Sequence, residues 1–265
     1  MSPVTELLTD RVADTPMMPA PRFDRAAVRA FAEALGVHHR TATFYPWRRL
    51  PNGRRVMHPA GHVVGLTDST FARLEVANAT GWDIALCLNG MSGKGHRAPD
   101  VLSVIVISAD LDNGVPASWP GGVAPTVIVE TSPAKFQAHW RLKDEMEIAA
   151  GGALRSAMVA ALGGDTGANS ANQGMRPFGS VNHKYCAPFL AGHAGGSGEA
   201  VAASALSGAY PGTRQESDAQ RATQSSLCTI VGKRCYRQIG SHHQQLQFHG
   251  SRSPPMACGW CGYRF

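Results

Sequence analysis

The sequence predicts an α+β domain followed by a tail of different character, and three observations carry that reading. Short β-branched or aromatic runs of strand length are interleaved with a few longer stretches of helical period. The 265 residues are 43% apolar, enough to fill a core. Beyond Ala191 the composition turns to Gly, Ala and Ser, and then to Gln, Arg, His and Ser with little periodicity. The expected organisation is a flexible lead-in over 1–22, a folded domain over 23–195 and a largely disordered tail over 196–265.

Within the folded part, Asp24 is placed to cap a helix from Arg25 to about Leu35, with Val28, Phe31 and Leu35 on one face and Gly36 as the stop. Thr41–Trp47 and Val56–Val64 are short strand-like pieces separated by Asn52-Gly53, a hairpin signal. Leu66–Ala79 reads as a helix opening at Thr67-Asp68-Ser69, and it feeds a buried strand over 82–88. The loop over 91–100 carries Lys94, His96 and Arg97; its composition suits a phosphate contact or a solvated surface. Strands are expected over 126–130 and 135–142, and the longest helix over 144–162, weakened by Gly151-Gly152. In the second of those strands Lys135, Gln137 and His139 share one face, while Phe136, Trp140 and Leu142 are the apolar residues. The apolar alternation breaks near Ala138.

Between these elements lies Val101-Leu-Ser-Val-Ile-Val-Ile-Ser-Ala-Asp-Leu-Asp112, an apolar run that ends in two aspartates spaced i, i+2. Strand side chains alternate, so Asp110 and Asp112 point the same way. Two carboxylates in one small volume repel unless a cation lies between them, and hard oxygen ligands suit Mg²⁺ or Mn²⁺. The alternative is a strand that ends in a polar Asp-Leu-Asp-Asn-Gly turn. Further on, Arg176-Pro-Phe-Gly-Ser-Val-Asn-His-Lys184 concentrates donors of the kind a triphosphate needs, against the plainer reading of a basic turn.

The formal charge of +6 and a pI near 9.2 resemble those of nucleic-acid binders, but the distribution matters more than the sum. Arg214, Arg221, Lys233, Arg234, Arg237, Arg252 and Arg264 face only Glu216 and Asp218 in the tail, so most of the excess belongs there. Four cysteines, Cys228, Cys235, Cys258 and Cys261, also lie in the tail; with His242 and His243 they raise Zn²⁺ binding as an alternative to disorder, although the spacings match no common zinc module. Cys87 and Cys186 read as buried small hydrophobes. No run approaches a membrane span and the N-terminus lacks the order of a secretion signal, so no membrane partner and a cytoplasmic location are expected.

In order along the chain, Asp110-Leu-Asp112, Glu130-Thr-Ser-Pro-Ala-Lys-Phe-Gln-Ala-His-Trp140, Leu162-Gly-Gly-Asp165 and Arg176 to Lys184 resemble the motifs of plasmid- and phage-type, RepB-like replication primases of the archaeo-eukaryotic primase superfamily. The resemblance spans about residues 24–190. It implies an α+β catalytic domain with a mostly antiparallel, RRM-like sheet flanked by helices. It also implies a DNA primase or primase-polymerase: a nucleotidyltransferase that uses Mg²⁺ or Mn²⁺ at a two-metal site. By that resemblance Asp110, Asp112 and Asp165 are the metal ligands and catalytic carboxylates, and Ser132, Lys135 and Gln137 contact the incoming nucleotide. His139, Arg176, Asn182 and Lys184 complete the implied nucleotide-binding set.

Two positions depart from the family pattern. Gln137 stands where many members have histidine, and in Arg176-Pro-Phe-Gly179 the proline is transposed. The implied partners are a single-stranded DNA template, NTP or dNTP, and a replicative helicase or initiator acting in trans. A metal-dependent phosphodiesterase using the same carboxylates, or a non-catalytic initiator module that binds DNA, are the rival readings.

Overall fold

In the computed structural model the described residues are 20–164, 170–185 and 187–212. They form two five-stranded antiparallel sheets and a small two-stranded one, with helices packed around them. Helix α1 (Arg25–Ala34) starts where the Asp24 carboxylate accepts the Ala27 N–H at 3.0 Å, and it buries Val28, Phe31 and Ala32. Strands β1 (Thr43–Arg49) and β2 (Arg55–Met57) form the hairpin that Asn52-Gly53 announces. Strand β3 (Val63–Val64) also pairs with β1, and helix α2 (Asp68–Ala79) follows, capped by Thr67. Strand β4 (Asp83–Cys87) is buried along its whole length, Cys87 included.

After the short β5 (Gly90–Met91) comes β6 (Val101–Leu111), which pairs with β5 and β8 and runs between β7 (Val127–Ser132) and β8 (Lys135–Met146) on one side and β5 on the other. Helix α3 (Ile148–Leu162) packs on β6. The remaining pieces are β9 (Gly174–Met175), β10 (Val181–Asn182), β11 (Phe189–Leu190), β12 (Gly192–Gly195) and α4 (Ala203–Ala209). One sheet has the order β2-β1-β4-β9 with β3 beside β1; the other has the order β12-β7-β8-β6-β5. Every ladder in them is antiparallel. The α+β class and the mostly antiparallel sheet are therefore as expected.

The second sheet is covered on both faces, which explains why β6 reads as a continuous apolar run instead of an alternating one. Ile107, Ala109, Ala138, Trp140 and Leu142 pack with Leu154, Met158 and Val159 of α3 and with Leu206 of α4. On the opposite face Val106, Val127 and Val129 join Phe31, Phe44 and Leu86 in the larger core. Apolar area removed from water is worth about 25 cal/mol per Å², so these two layers dominate the stability of the domain. Ala138 is fully buried within the even-numbered face, so the alternation of β8 continues through it and does not break.

Two boundaries differ from the sequence expectation. Strand β8 continues through Asp144 and Glu145 to Met146, which pairs with Val104 after a bulge, so α3 begins only at Ile148. Long-range pairing here overrides the helical pattern of the local sequence. The folded unit also extends past residue 195. Val201 N donates to Arg141 O and Lys143 N to Val201 O, each close to 2.9 Å, and Leu206 and Tyr210 are buried against Trp140. Small residues made this stretch look like the start of the tail, but two large apolar side chains suffice to dock a short helix. The lead-in over 1–19 and the cysteine- and histidine-containing stretch over 213–265 lie outside the described residues, as does Cys186.

Candidate active site

One cleft of about 390 Å³ opens between the two sheets, and the motifs line it. Asp110, at the end of β6, and Asp112, just beyond it, lie on one wall, as the i, i+2 spacing requires. Ser132, Lys135 and Gln137 reach the cleft from the β7–β8 turn and the start of β8. Arg176, Asn182 and Lys184 come from the segment that carries β10. Segments up to about 70 residues apart in sequence thus converge on one space, which a set of unrelated polar turns would not do.

The polar contacts among them are specific. Gln137 Nε2 donates to Asp110 Oδ1 at 2.7 Å, and Gln137 Oε1 accepts the Arg176 N–H at 3.1 Å. One side-chain amide therefore ties three of the motifs together, each end using the one polarity it has. Lys135 Nζ lies 3.2 Å from Asp112 Oδ1 and donates to the Asp112 carbonyl at 2.7 Å. Asn182 Nδ2 donates to Thr131 O at 2.6 Å, and its Oδ1 accepts the Lys184 N–H at 3.0 Å, so Asn182 orients the backbone on either side of the cleft. A hydrogen bond from Ser132, with Lys184 and Lys135 beside it, holds the Tyr185 phenol below its usual range. Ser132 itself is almost fully buried.

In the turn after the transposed proline, Gly179 has a φ of 84°, in the left-handed region. A Cβ there would lie 2.6 Å from Ala27 Cβ and 2.9 Å from Asp24 O, and Asp24 N donates to Gly179 O at 2.8 Å. The turn after Arg176 is thereby clamped to the first turn of α1.

Sequence reasoning did not single out Asp83. It is buried at the start of β4, where Oδ1 accepts from Arg176 Nη1 at 2.9 Å and from the His183 N–H at 2.8 Å. The only available signal was an aspartate inside a strand expected to be buried, since a buried carboxylate needs a partner. Tyr45, Trp47, Arg49 and Arg55 of the first hairpin also line the cleft and were likewise not anticipated.

His139 is a correction. It shares the face of Gln137, yet it lies one residue pair deeper, where α1 covers the sheet: it is fully buried, Phe31 meets its ring edge-on at 5.4 Å, and Nδ1 is 2.8 Å from Ser108 Oγ. Burial, with Arg155 nearby, lowers its pKa to about 3. It is a neutral core residue and cannot reach a nucleotide in the cleft.

Asp165 lies outside the described residues. Its neighbour Gly164 is placed so that a Cβ would lie 2.7 Å from the Asp110 carbonyl, which brings the end of the α3 segment directly against β6. Among the described residues no group of three or more His, Cys, Asp or Glu side chains is disposed to hold a metal ion. Asp110 and Asp112 by themselves offer hard oxygen donors of the kind that suits Mg²⁺ or Mn²⁺, and Asp112 is paired with the Lys135 cation.

The cleft between the two sheets thus gathers a carboxylate pair and several basic side chains, and the chain is similar to known proteins in both sequence and fold. Residues 117–194 match the family model of the RepB DNA-primase N-terminal domain, a span that contains Ser132, Lys135, Gln137 and the Arg176 segment but not Asp110 or Asp112. The fold is similar to that of the AEP domain of the primase-polymerase of cyanophage S-2L, with a TM-score of 0.59 and 19% identity over 72% of this chain and 100% of that one. It is also similar to the primase RepB′, with a TM-score of 0.52 and 16% identity over 79% of this chain and 69% of that one. The catalytic domain of RepB′ in complex with initiator DNA gives a TM-score of 0.51 and 16% identity over 77% and 97% of the two chains. No curated protein matches the sequence. Family model and fold together match a RepB-like replication primase. No helix among the described residues is long and apolar enough to cross a membrane.

Proposed function

We propose that the cleft carries out metal-dependent, template-directed nucleotidyl transfer, adding NTP or dNTP on a single-stranded DNA template. The observation that carries the proposal is the convergence of Asp110 and Asp112 with Ser132, Lys135, Gln137, Arg176, Asn182 and Lys184 around one space. One structural neighbour, the RepB′ catalytic domain, is seen in complex with initiator DNA, which supports a DNA partner.

In this reading Asp110, Asp112 and Asp165 hold the divalent ions. When bound, such ions polarise the attacking hydroxyl and neutralise charge on the reacting phosphate. The residues of the chain do the rest. Gln137 fixes the Asp110 carboxylate against β8, and Lys135 orients Asp112. Lys135, Arg176 and Lys184 balance the charge of the triphosphate, with Arg176 held in place from behind by Asp83. Gln137 carries no charge of its own, so its part is to position groups rather than to neutralise phosphate. The catalytic unit in this proposal runs from about residue 23 through α4.

The test is primer synthesis with labelled NTPs and dNTPs on single-stranded templates, with Mn²⁺ or Mg²⁺. Asp110→Asn, Asp112→Asn and Asp165→Asn should each abolish synthesis while leaving the unfolding transition in place. Retained synthesis in Asp110→Asn or Asp112→Asn would sink the assignment. Shortening of DNA without nucleotides, lost in the same variants, would replace it with a phosphodiesterase.

A further inference from the structure

The hairpin of β1 and β2 forms the wall of the cleft that the proposed chemistry leaves unused. Its register pairs Trp47 with Met57 and Arg49 with Arg55, so these four side chains share one face, and all four line the cleft. Arg48 and Arg54 add two more cations to the same hairpin, and Arg48 lies over the Trp82 ring at 4.4 Å on the outer side. The arrangement is electrostatically lopsided: no aspartate or glutamate occurs between Glu33 and Asp68, and among the described residues none of these four arginines forms an ion pair. Like charges directly opposite each other across an antiparallel pair repel, so Arg49 opposite Arg55 costs stability in the free protein.

The hairpin is nevertheless well formed. Leu50 N donates to Arg54 O and Gly53 N to Leu50 O, both at 2.8 Å, and Arg54 N donates to Asn52 Oδ1 at 3.0 Å. Arg49 Nη1 makes only a long contact of 3.3 Å to Gly53 O. The Arg55 guanidinium lies 4.9 Å from the centre of the half-buried Trp47 ring, which makes an aromatic and cationic platform at the edge of the cleft. Paired arginines without counter-charge beside an aromatic ring are what a single polynucleotide strand requires: phosphates to balance the cations, and an unpaired base to stack. The opposite wall, with Lys135 and Lys184, already has the cations for a triphosphate.

We propose that the Trp47, Arg49 and Arg55 stripe of the β1–β2 hairpin binds the single-stranded template and presents it to the carboxylates across the cleft. The inference rests on the primase reading of that cleft, and it assigns the template-binding wall to the hairpin.

The experiment is fluorescence anisotropy of the full chain with fluorescein-labelled (dT)20 across a salt series, with binding of Mn²⁺-NTP measured separately by calorimetry. Arg49→Ala/Arg55→Ala should weaken (dT)20 binding by about tenfold and flatten the log–log salt dependence by about 1.4, the loss of two phosphate contacts on a single strand. Its nucleotide affinity should stay within about twofold of the parent, a range far below the charge effect expected on the strand. Arg49→Lys/Arg55→Lys should restore the salt slope. Unchanged strand affinity in the alanine variant, a loss of nucleotide affinity in its place, or a parent chain that prefers duplex to single strand would each overturn the proposal. Asp110→Asn separates this reading from the catalytic one. Hairpin-dependent strand binding that persists in Asp110→Asn supports the template wall, even if the parent chain proves unable to make primers and the catalytic reading falls.

Discussion

Replacing Asp83 by alanine strands a guanidinium in the protein. The Asp83 and Arg176 side chains retain only 5% and 11% of their exposure, and Asp83 Oδ1 accepts both the 2.9 Å bond from Arg176 and the 2.8 Å bond from the His183 N–H. Removing one partner of a buried pair costs about 3–5 kcal/mol, because the remaining charge has neither water nor a counter-ion. The lost amide bond belongs to the same site and adds to this only in part, so about 4 kcal/mol is expected for Asp83→Ala. At about 2–4 °C per kcal/mol for a domain of this size, the midpoint should fall by about 10 °C. Asp83→Asn keeps an acceptor oxygen and should cost about half as much. Urea unfolding of the two variants checks the order, and adding Arg176→Met to Asp83→Ala should recover stability by removing the stranded charge. A loss below about 1 kcal/mol in Asp83→Ala, or no recovery in the double variant, would refute the view that Asp83 anchors Arg176 from behind the cleft.

Two further outcomes follow from the same packing. Gly164→Ala places a methyl group 2.7 Å from the Asp110 carbonyl, so it should push the end of α3 away from β6 and reduce primer synthesis by more than it lowers the unfolding midpoint; equal effects on both would show that only packing is involved. His139 is held neutral by burial, with a pKa of about 3 against an ordinary value of 6.5. Between those values the unfolded chain binds the extra proton, so stability should fall as pH drops from about 6.5 toward 3, by on the order of 5 kcal/mol in total. Urea midpoints measured from pH 7 to pH 4 should show that slope, and His139→Leu should flatten it even though Ser108 loses its partner.

The residues that line the cleft were largely legible along the chain. Alternation on β6 put Asp110 and Asp112 on one side, and both line the cleft, because the two-residue period of a strand is a local property. The same rule grouped Lys135, Gln137 and His139 correctly by face but could not tell that Phe31 covers His139. How far a helix reaches over a sheet depends on packing between segments distant in sequence. Asp83 illustrates the same limit: its partners Arg176 and the His183 amide lie about a hundred residues downstream. The hairpin arginines were visible as residues, but their pairing across the cleft from Lys135 required both sheets.

The sequence by itself determined the elements whose cause is local: the capped α1, the Asn52-Gly53 hairpin, the aspartate spacing and the order of the motifs. Tertiary structure alone decided that β8 runs on to Met146, that Leu206 and Tyr210 belong to the domain, that His139 is core, and that Gln137 joins Asp110 to Arg176. The physical reason is the same in each case. A propensity or a period is a property of neighbours along the chain, whereas burial and hydrogen-bond partnership are set by segments that only folding brings together.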